Sequence, residues 1–224
     1  MASNKLYVSN SPESIRLFKQ DWMELLSKVH FSTPLIVFVP VISYFIYTSV
    51  ISGISFIDFI AWGALGFLAW TAVEYIMHRF IFHYHPSSEF GKKMHFIFHG
   101  VHHDYPCDRL RLVLPPSVSI PLATGFYFLY MTFIPIEGFG AFFAIFLIGY
   151  LMYDMVHYAI HHVELKGKLW NTLKTHHLKH HYVDPEKGFG VSSPMWDLLV
   201  RSDFEEVKKE KKNTKNSELT SSVV

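Results

Sequence analysis

Fourteen of the fifteen histidines in this 224-residue chain fall in two windows, seven from His78 to His103 and seven from His157 to His181. In the first window His78 and His83 stand five apart, a spacing that suits a helix end turning into a loop. His99, His102 and His103 follow at i, i+3 and i+4, so on a helix all three imidazoles leave one face. The second window places His157 and His161 at i and i+4, then repeats the triad with His177, His180 and His181. Ten imidazoles are too many for one ion; they match two five-coordinate ions, each keeping a position open for water or oxygen. Neutral imidazole suits iron, zinc, copper and nickel, so the spacing does not choose among them. His85, His95, His162 and His176 stand outside the repeated pattern and read as surface, packing or ligand-supporting residues, and His30 as an interfacial one.

Metal-bound imidazole usually gives its other N–H to a carboxylate or a carbonyl. Glu74 precedes His78 by four residues and Asp154 precedes His157 by three, so each is expected to orient that ring along a shared helical face.

The elements that must carry these residues are apolar. Half of the chain is hydrophobic and 17% is charged, against about 25% in an ordinary soluble protein. The net charge of +1 leaves no basic excess for nucleic acid, and none is expected as a partner. Cys107 is the single cysteine, which excludes an internal disulfide, a CxxC pair and a thiolate cluster. Apolar stretches predict spans at about 33–53, 56–77, 113–134 and 138–156, the second with Asp58 near its start and Glu74 near its end and the third bent by Pro115, Pro116 and Pro121. Every Lys and Arg then falls on one side, which makes that side, with both termini and the histidine-rich segments 78–111 and 157–200, cytosolic. No signal peptide is read at the start.

Residues 1–30 are expected to form an amphipathic helix in the membrane interface, beginning at Ser11, Pro12 and Glu13, and 201–224 a disordered basic tail. The expected fold is all-α: an integral membrane protein with four transmembrane helices and a cytosolic helical cap holding a histidine-ligated dimetal centre, the working domain being 31–200. A membrane-embedded metal site favours a lipid substrate and oxygen chemistry.

The runs HRFIFH, HFIFHGVHH, HYAIHH and HHLKHH resemble the histidine boxes of the membrane fatty acid hydroxylase and sterol desaturase superfamily. The longer runs HFIFHGVHHDYPCDRLRLVLPP and GFGVSSPMWD are similar to fatty acid 2-hydroxylases within it, and the resemblance extends from about Trp70 to Asp197. It implies two iron ions, with zinc as a substitute in purified protein, and O2 as cosubstrate. It also implies insertion of one oxygen atom at carbon 2 of a long acyl chain, free or part of a ceramide-like lipid. The ligands it carries across are His78, His83, His99, His102, His103, His157, His161, His177, His180 and His181, with Tyr153 and Asp154 beside the substrate. Some members carry a haem-binding HPGG motif that this chain lacks, so electrons are expected from a separate donor such as cytochrome b5 or a ferredoxin with its reductase. Where members often follow the WD with Phe-Gly-Thr, this chain has Leu198, Leu199, Val200 and Arg201. The rival readings are another histidine-box oxidation (desaturase, sterol methyl oxidase or carotenoid hydroxylase) and a non-catalytic metal-binding membrane protein.

Overall fold

Ahead of the first long apolar stretch, the computed structural model, which describes residues 5–204, has one short helix, α1 (Asp21–Ser27). The helix expected from Ser11 onward is absent from 5–20 because the backbone donors there are taken elsewhere. Val8 and Ser9 donate to the Asp104 carbonyl at 2.9 and 3.0 Å, and Leu17 and Phe18 donate to the Glu24 carboxylate at 2.9 and 3.0 Å. The segment is thus a strap tied to Asp104, at the end of the first histidine window, and to Glu24. Within α1, Glu24 is buried while Trp22, Leu25 and Leu26 are 65%, 74% and 53% exposed, a helix whose apolar face is turned outward.

Pro34 sits in the first turn of α2 (Thr33–Ile51), where its missing N–H costs nothing. Ser55 caps α3 (Phe56–Ile76) by accepting from the Asp58 N–H at 3.1 Å. That helix runs on as a π-helical turn over Met77–Phe82. After α4 (Glu89–His95), a second π turn over Phe96–Gly100 leads into α5 (Val101–Asp104). Then come α6 (Pro116–Met131), α7 (Ile136–His162), α8 (Lys168–Tyr182) and α9 (Met195–Val200). Among the described residues all of these elements are helical.

Helix α7 is the core, with Phe142, Phe146 and Leu147 fully buried between α2 and α3. Its approach to α3 is set by Gly66, where a Cβ would stand 2.1 Å from the Phe142 carbonyl oxygen, the small-residue packing that lets two apolar helices touch by backbone. The outer faces of α2 and α3 leave Ile36, Tyr44, Val50, Phe56 and Ile57 exposed. Three helical stretches, Thr33–Ile51, Phe56–Phe82 and Ile136–His162, are long and apolar enough to cross a membrane. The expected third span is shorter than its apolar stretch. Pro115 and Pro116 delay its start, and α6 ends at Met131 after 16 residues, about 24 Å at the helical rise.

The ordered chain continues past Val200. Ser202 is buried, and its backbone N–H donates to the Asp197 carbonyl at 2.9 Å, so residues 201–204 are not part of the expected tail; residues 205–224 lie outside those described.

Candidate metal centre

The five-residue spacing of His78 and His83 is closed by the π turn at the end of α3, where the His83 N–H donates to the His78 carbonyl at 3.1 Å. A turn widened by one residue brings both rings to one side, with centroids 5.1 Å apart. The reading of this spacing as a helix end passing into a loop missed the π turn, which spacing alone does not reveal. His99 lies on the second π turn and His102 and His103 on α5; His157 and His161 close α7, and His177, His180 and His181 lie on α8.

All ten rings come together, in two groups of five. One contains His78, His83, His99, His103 and His180; the other contains His102, His157, His161, His177 and His181. Each triad is therefore divided: its first and last members join one group and its middle member crosses to the other. In the first group the Nε2 atoms of His78, His83 and His103 lie 3.2, 3.1 and 3.0 Å from that of His99, and His180 lies 3.0 Å from His83. In the second, the Nε2 pairs His102–His157, His161–His177 and His177–His181 are 2.9, 3.1 and 3.0 Å apart.

These distances test the fit of a metal. A neutral imidazole has one N–H to give, so the Nε2 of His99 cannot be satisfied by three other ring nitrogens at once. Buried lone pairs converging on a point call for a cation. Nitrogens about 2.1 Å from one ion lie about 3.0 Å apart at right angles and about 3.4 Å apart at the tetrahedral angle. The observed edges match right angles, so the donor set fits five-coordinate transition-metal sites better than tetrahedral ones. Burial, with the neighbouring rings, holds His99, His102, His103, His177 and His181 well below the ordinary imidazole range, His83 at about 2 and His180 at about 4. At neutral pH the rings are in the uncharged form a metal requires.

Two ring-orienting carboxylates expected from the sequence do not touch their histidines. Glu74 instead accepts the N–H groups of Val191 and Ser192, each at 2.8 Å, and the Ser192 hydroxyl. The His78 Nδ1–H goes to the Phe189 carbonyl, and the His180 Nδ1–H to the Lys187 carbonyl at 2.8 Å. A carbonyl can only accept, so both rings carry the proton on Nδ1 and turn the Nε2 lone pair inward. Asp154 is fully buried, but neither of its oxygens has a hydrogen-bond partner among the described residues, and it does not hold His157. Tyr153 packs on the His157 ring at 5.6 Å.

The sequence reading missed Asp197 and gave His176 only a supporting place. The Asp197 carboxylate accepts from Phe189 N–H at 3.0 Å, Gly190 N–H at 2.7 Å, Ser202 hydroxyl at 2.7 Å and His176 Nε2–H at 3.2 Å. No periodicity signals this, because the bonds close across a loop. Of the other spare histidines, His85 lies at the surface with its Nε2 3.1 Å from Glu186, the His95 ring is tilted toward it with centroids 5.8 Å apart, and half-buried His162 packs on Tyr158 at 4.8 Å.

Two cavities lie beside the site, and the wider of them reaches the rings. A narrow apolar cleft of about 50 Å³ runs between α3, α6 and α7, lined by Trp70, Ala123, Phe126, Phe146 and Tyr153 among others. A wider one of about 460 Å³ opens between α1 and α4 and is bordered by Trp22, Phe90, Lys93, His99, His102 and His157. Phe82, Leu114 and Tyr153 line both.

Ten histidines gathered in two groups, three of them at the ends of helices long and apolar enough to cross a membrane and the rest on shorter segments beside them, define a histidine-box membrane protein. The chain belongs to the fatty acid hydroxylase family, whose model matches residues 63–202. A dihydroceramide fatty acyl 2-hydroxylase of Arabidopsis thaliana is 34% identical over 84% of this chain and 79% of its own length. The human fatty acid 2-hydroxylase is 37% identical over 84% of this chain, which spans 56% of that relative. The visible hydroxylase domain of full-length scs7p superposes with a TM-score of 0.78 at 33% identity, over 83% of this chain and 70% of that one.

Proposed function

We propose that this protein is a fatty acid 2-hydroxylase that binds two iron ions, one in each group of five histidines, and uses O2 to hydroxylate carbon 2 of a long acyl chain, free or amide-linked in a ceramide-like lipid. The observation that carries the reading is an apolar cleft that shares Phe82, Leu114 and Tyr153 with a wider cavity bordered by His99, His102 and His157, three of the ten converging imidazoles. Bound iron supplies the activation of dioxygen that an unactivated C–H bond demands.

The chain's own part is placement. The cleft between α3, α6 and α7 takes the hydrocarbon tail and excludes water; its walls hold one carbon at the junction of Phe82, Leu114 and Tyr153. The wider cavity takes the polar end, with Lys93 at its border. Tyr153 stands between the acyl chain and His157, while Asp154 lies one residue deeper in α7. The long axis of α6 completes a fourth crossing, the histidine side faces the cytosol, and a separate protein such as cytochrome b5 or a ferredoxin delivers electrons there. The working domain is 31–200, and the N-terminal segment lies in the interface with Trp22, Leu25 and Leu26 in lipid.

Expression in a host without 2-hydroxy lipids, followed by mass spectrometry of its acyl chains, tests the proposal. New 2-hydroxy acyl chains that disappear with His99→Ala support it. Unsaturated or sterol-derived products would point to a different oxidation at the same centre, and no product in cells supplied with iron and a reductant would overturn it.

A further inference from the structure

We infer that the two groups of five histidines are unequal metal sites, and that the loop Lys187–Ser192, pinned by Asp197 and Glu74, clamps only the one containing His78 and His180. The inference rests on the two-metal reading above. In the first group, the Nδ1–H groups of His78 and His180 are fixed by the Phe189 and Lys187 carbonyls. In the second, the buried Nδ1 atoms of His157, His177 and His181 meet no acceptor among the described residues. A carbonyl on the far nitrogen fixes the ring and raises its basicity as a ligand; losing such a partner typically costs ten- to hundredfold in metal affinity.

The loop is held in turn by two buried carboxylates, while the Gly188 N–H, in the same peptide unit as the Lys187 carbonyl, donates to the Ser202 carbonyl at 2.9 Å. Asp197 accepts the N–H groups of Phe189 and Gly190, and Glu74 those of Val191 and Ser192. The turn has no room for a side chain: a Cβ on Gly190 would lie 2.1 Å from the Ser193 carbonyl oxygen and 3.0 Å from Asp197. Asp197 also takes protons from His176 and Ser202, four donors in all. An amide in its place presents one acceptor oxygen and an NH2 group that faces other donors. Asp197 and Glu74 are positioning residues for His78 and His180, acting through the backbone.

The test is metal release from the full chain in detergent, loaded with zinc and dialysed against EDTA, with bound zinc followed by elemental analysis. Wild type is expected to lose its two equivalents in two phases separated by about tenfold or more. His78→Ala removes the slow phase and His161→Ala the fast one. Asp197→Asn and Glu74→Gln quicken the slow phase about ten- to hundredfold and leave the fast phase unchanged. If the Asp197 variant does not fold, Ser192→Ala, which removes only a hydroxyl donor from Glu74, is expected to quicken the slow phase severalfold; an unchanged slow phase there overturns the inference. Release of both equivalents in one phase, or acceleration of both phases together, also overturns it. Failure to bind zinc at all would instead defeat the two-metal reading.

Discussion

Arg111 donates a 2.7 Å hydrogen bond to Glu24 across 87 residues of sequence, between side chains that are 3% and 9% exposed. The same guanidinium reaches the Ser27 hydroxyl at 2.8 Å and the Ile15 carbonyl at 2.6 Å, so one cation fastens the N-terminal strap and α1 to the segment after α5. Arg111→Met leaves Glu24 buried beside Lys28 alone. It is expected to cost about 3–5 kcal/mol, the loss typical of breaking one side of a buried pair. Adding Glu24→Gln should recover part of that loss in thermal unfolding in detergent.

The strap should also loosen in acid. Burial pushes the Glu24 carboxyl up, but hydrogen bonds from Lys28, Phe18 and Leu17 and the Arg111 charge outweigh it and hold the group at about 2. A carboxylate with a depressed native pKa stabilises the fold above its unfolded value, near 4.3, and that contribution fades as pH falls toward 2. Proteolysis between residues 5 and 29 should rise through this window in wild type. In Glu24→Gln the Glu24 contribution to that rise should be absent.

The division of the triads gives a sharper expectation. His180 and His181 are adjacent in sequence but belong to different groups. His180→Ala should deplete the site containing His78, and His181→Ala the site containing His157. Each should take bound metal from about two equivalents to about one. Elemental analysis of the two single variants and the double variant checks this, the double being expected to fall below either single.

Acyl length should follow the width of the cleft. Ala123 lines it beside Phe126 and Phe146, and Ala123→Phe fills space a hydrocarbon tail would need. Product from the longest acyl chains should fall about tenfold or more relative to shorter ones, the scale of a few methylenes' worth of discrimination, as read by mass spectrometry of the 2-hydroxy products.

The helix interface has one point of little tolerance. At Gly66 a methyl group would meet the Phe142 carbonyl, a backbone atom that cannot swing aside. Gly66→Ala should cost about 1–3 kcal/mol through overpacking, measured as lowered thermal stability, whereas Gly125→Ala, with nothing within 4 Å of the new atom, should not.

The three long apolar helices and the ten gathered rings were legible because both depend on local periodicity: hydropathy over one span, and i, i+3, i+4 spacing over one turn. How the rings divide was not, since His102 and His103 differ by one position and only the facing helices α7 and α8 decide which goes where. The partner of Glu74 was misread for a related reason. Four residues along a helix make His78 a plausible neighbour, yet the carboxylate turns to Val191 and Ser192, more than a hundred residues away. The strap over residues 5–20 was hidden as well, because its N–H groups find acceptors in Asp104 and Glu24 rather than in a helix of its own.

The π turns at Met77–Phe82 and Phe96–Gly100 each hold one residue more than an α-helical turn would. Side chains exposed on them, such as Phe80, Ile81 and Phe98, are open to exchange, but the residue count is not. Deleting one position would return the turn to α geometry and swing everything beyond it by about 100°, carrying His83 or His103 away from the partners they now face. In these two stretches descent can rewrite the outward letters while His78, His99 and the number of letters stay locked.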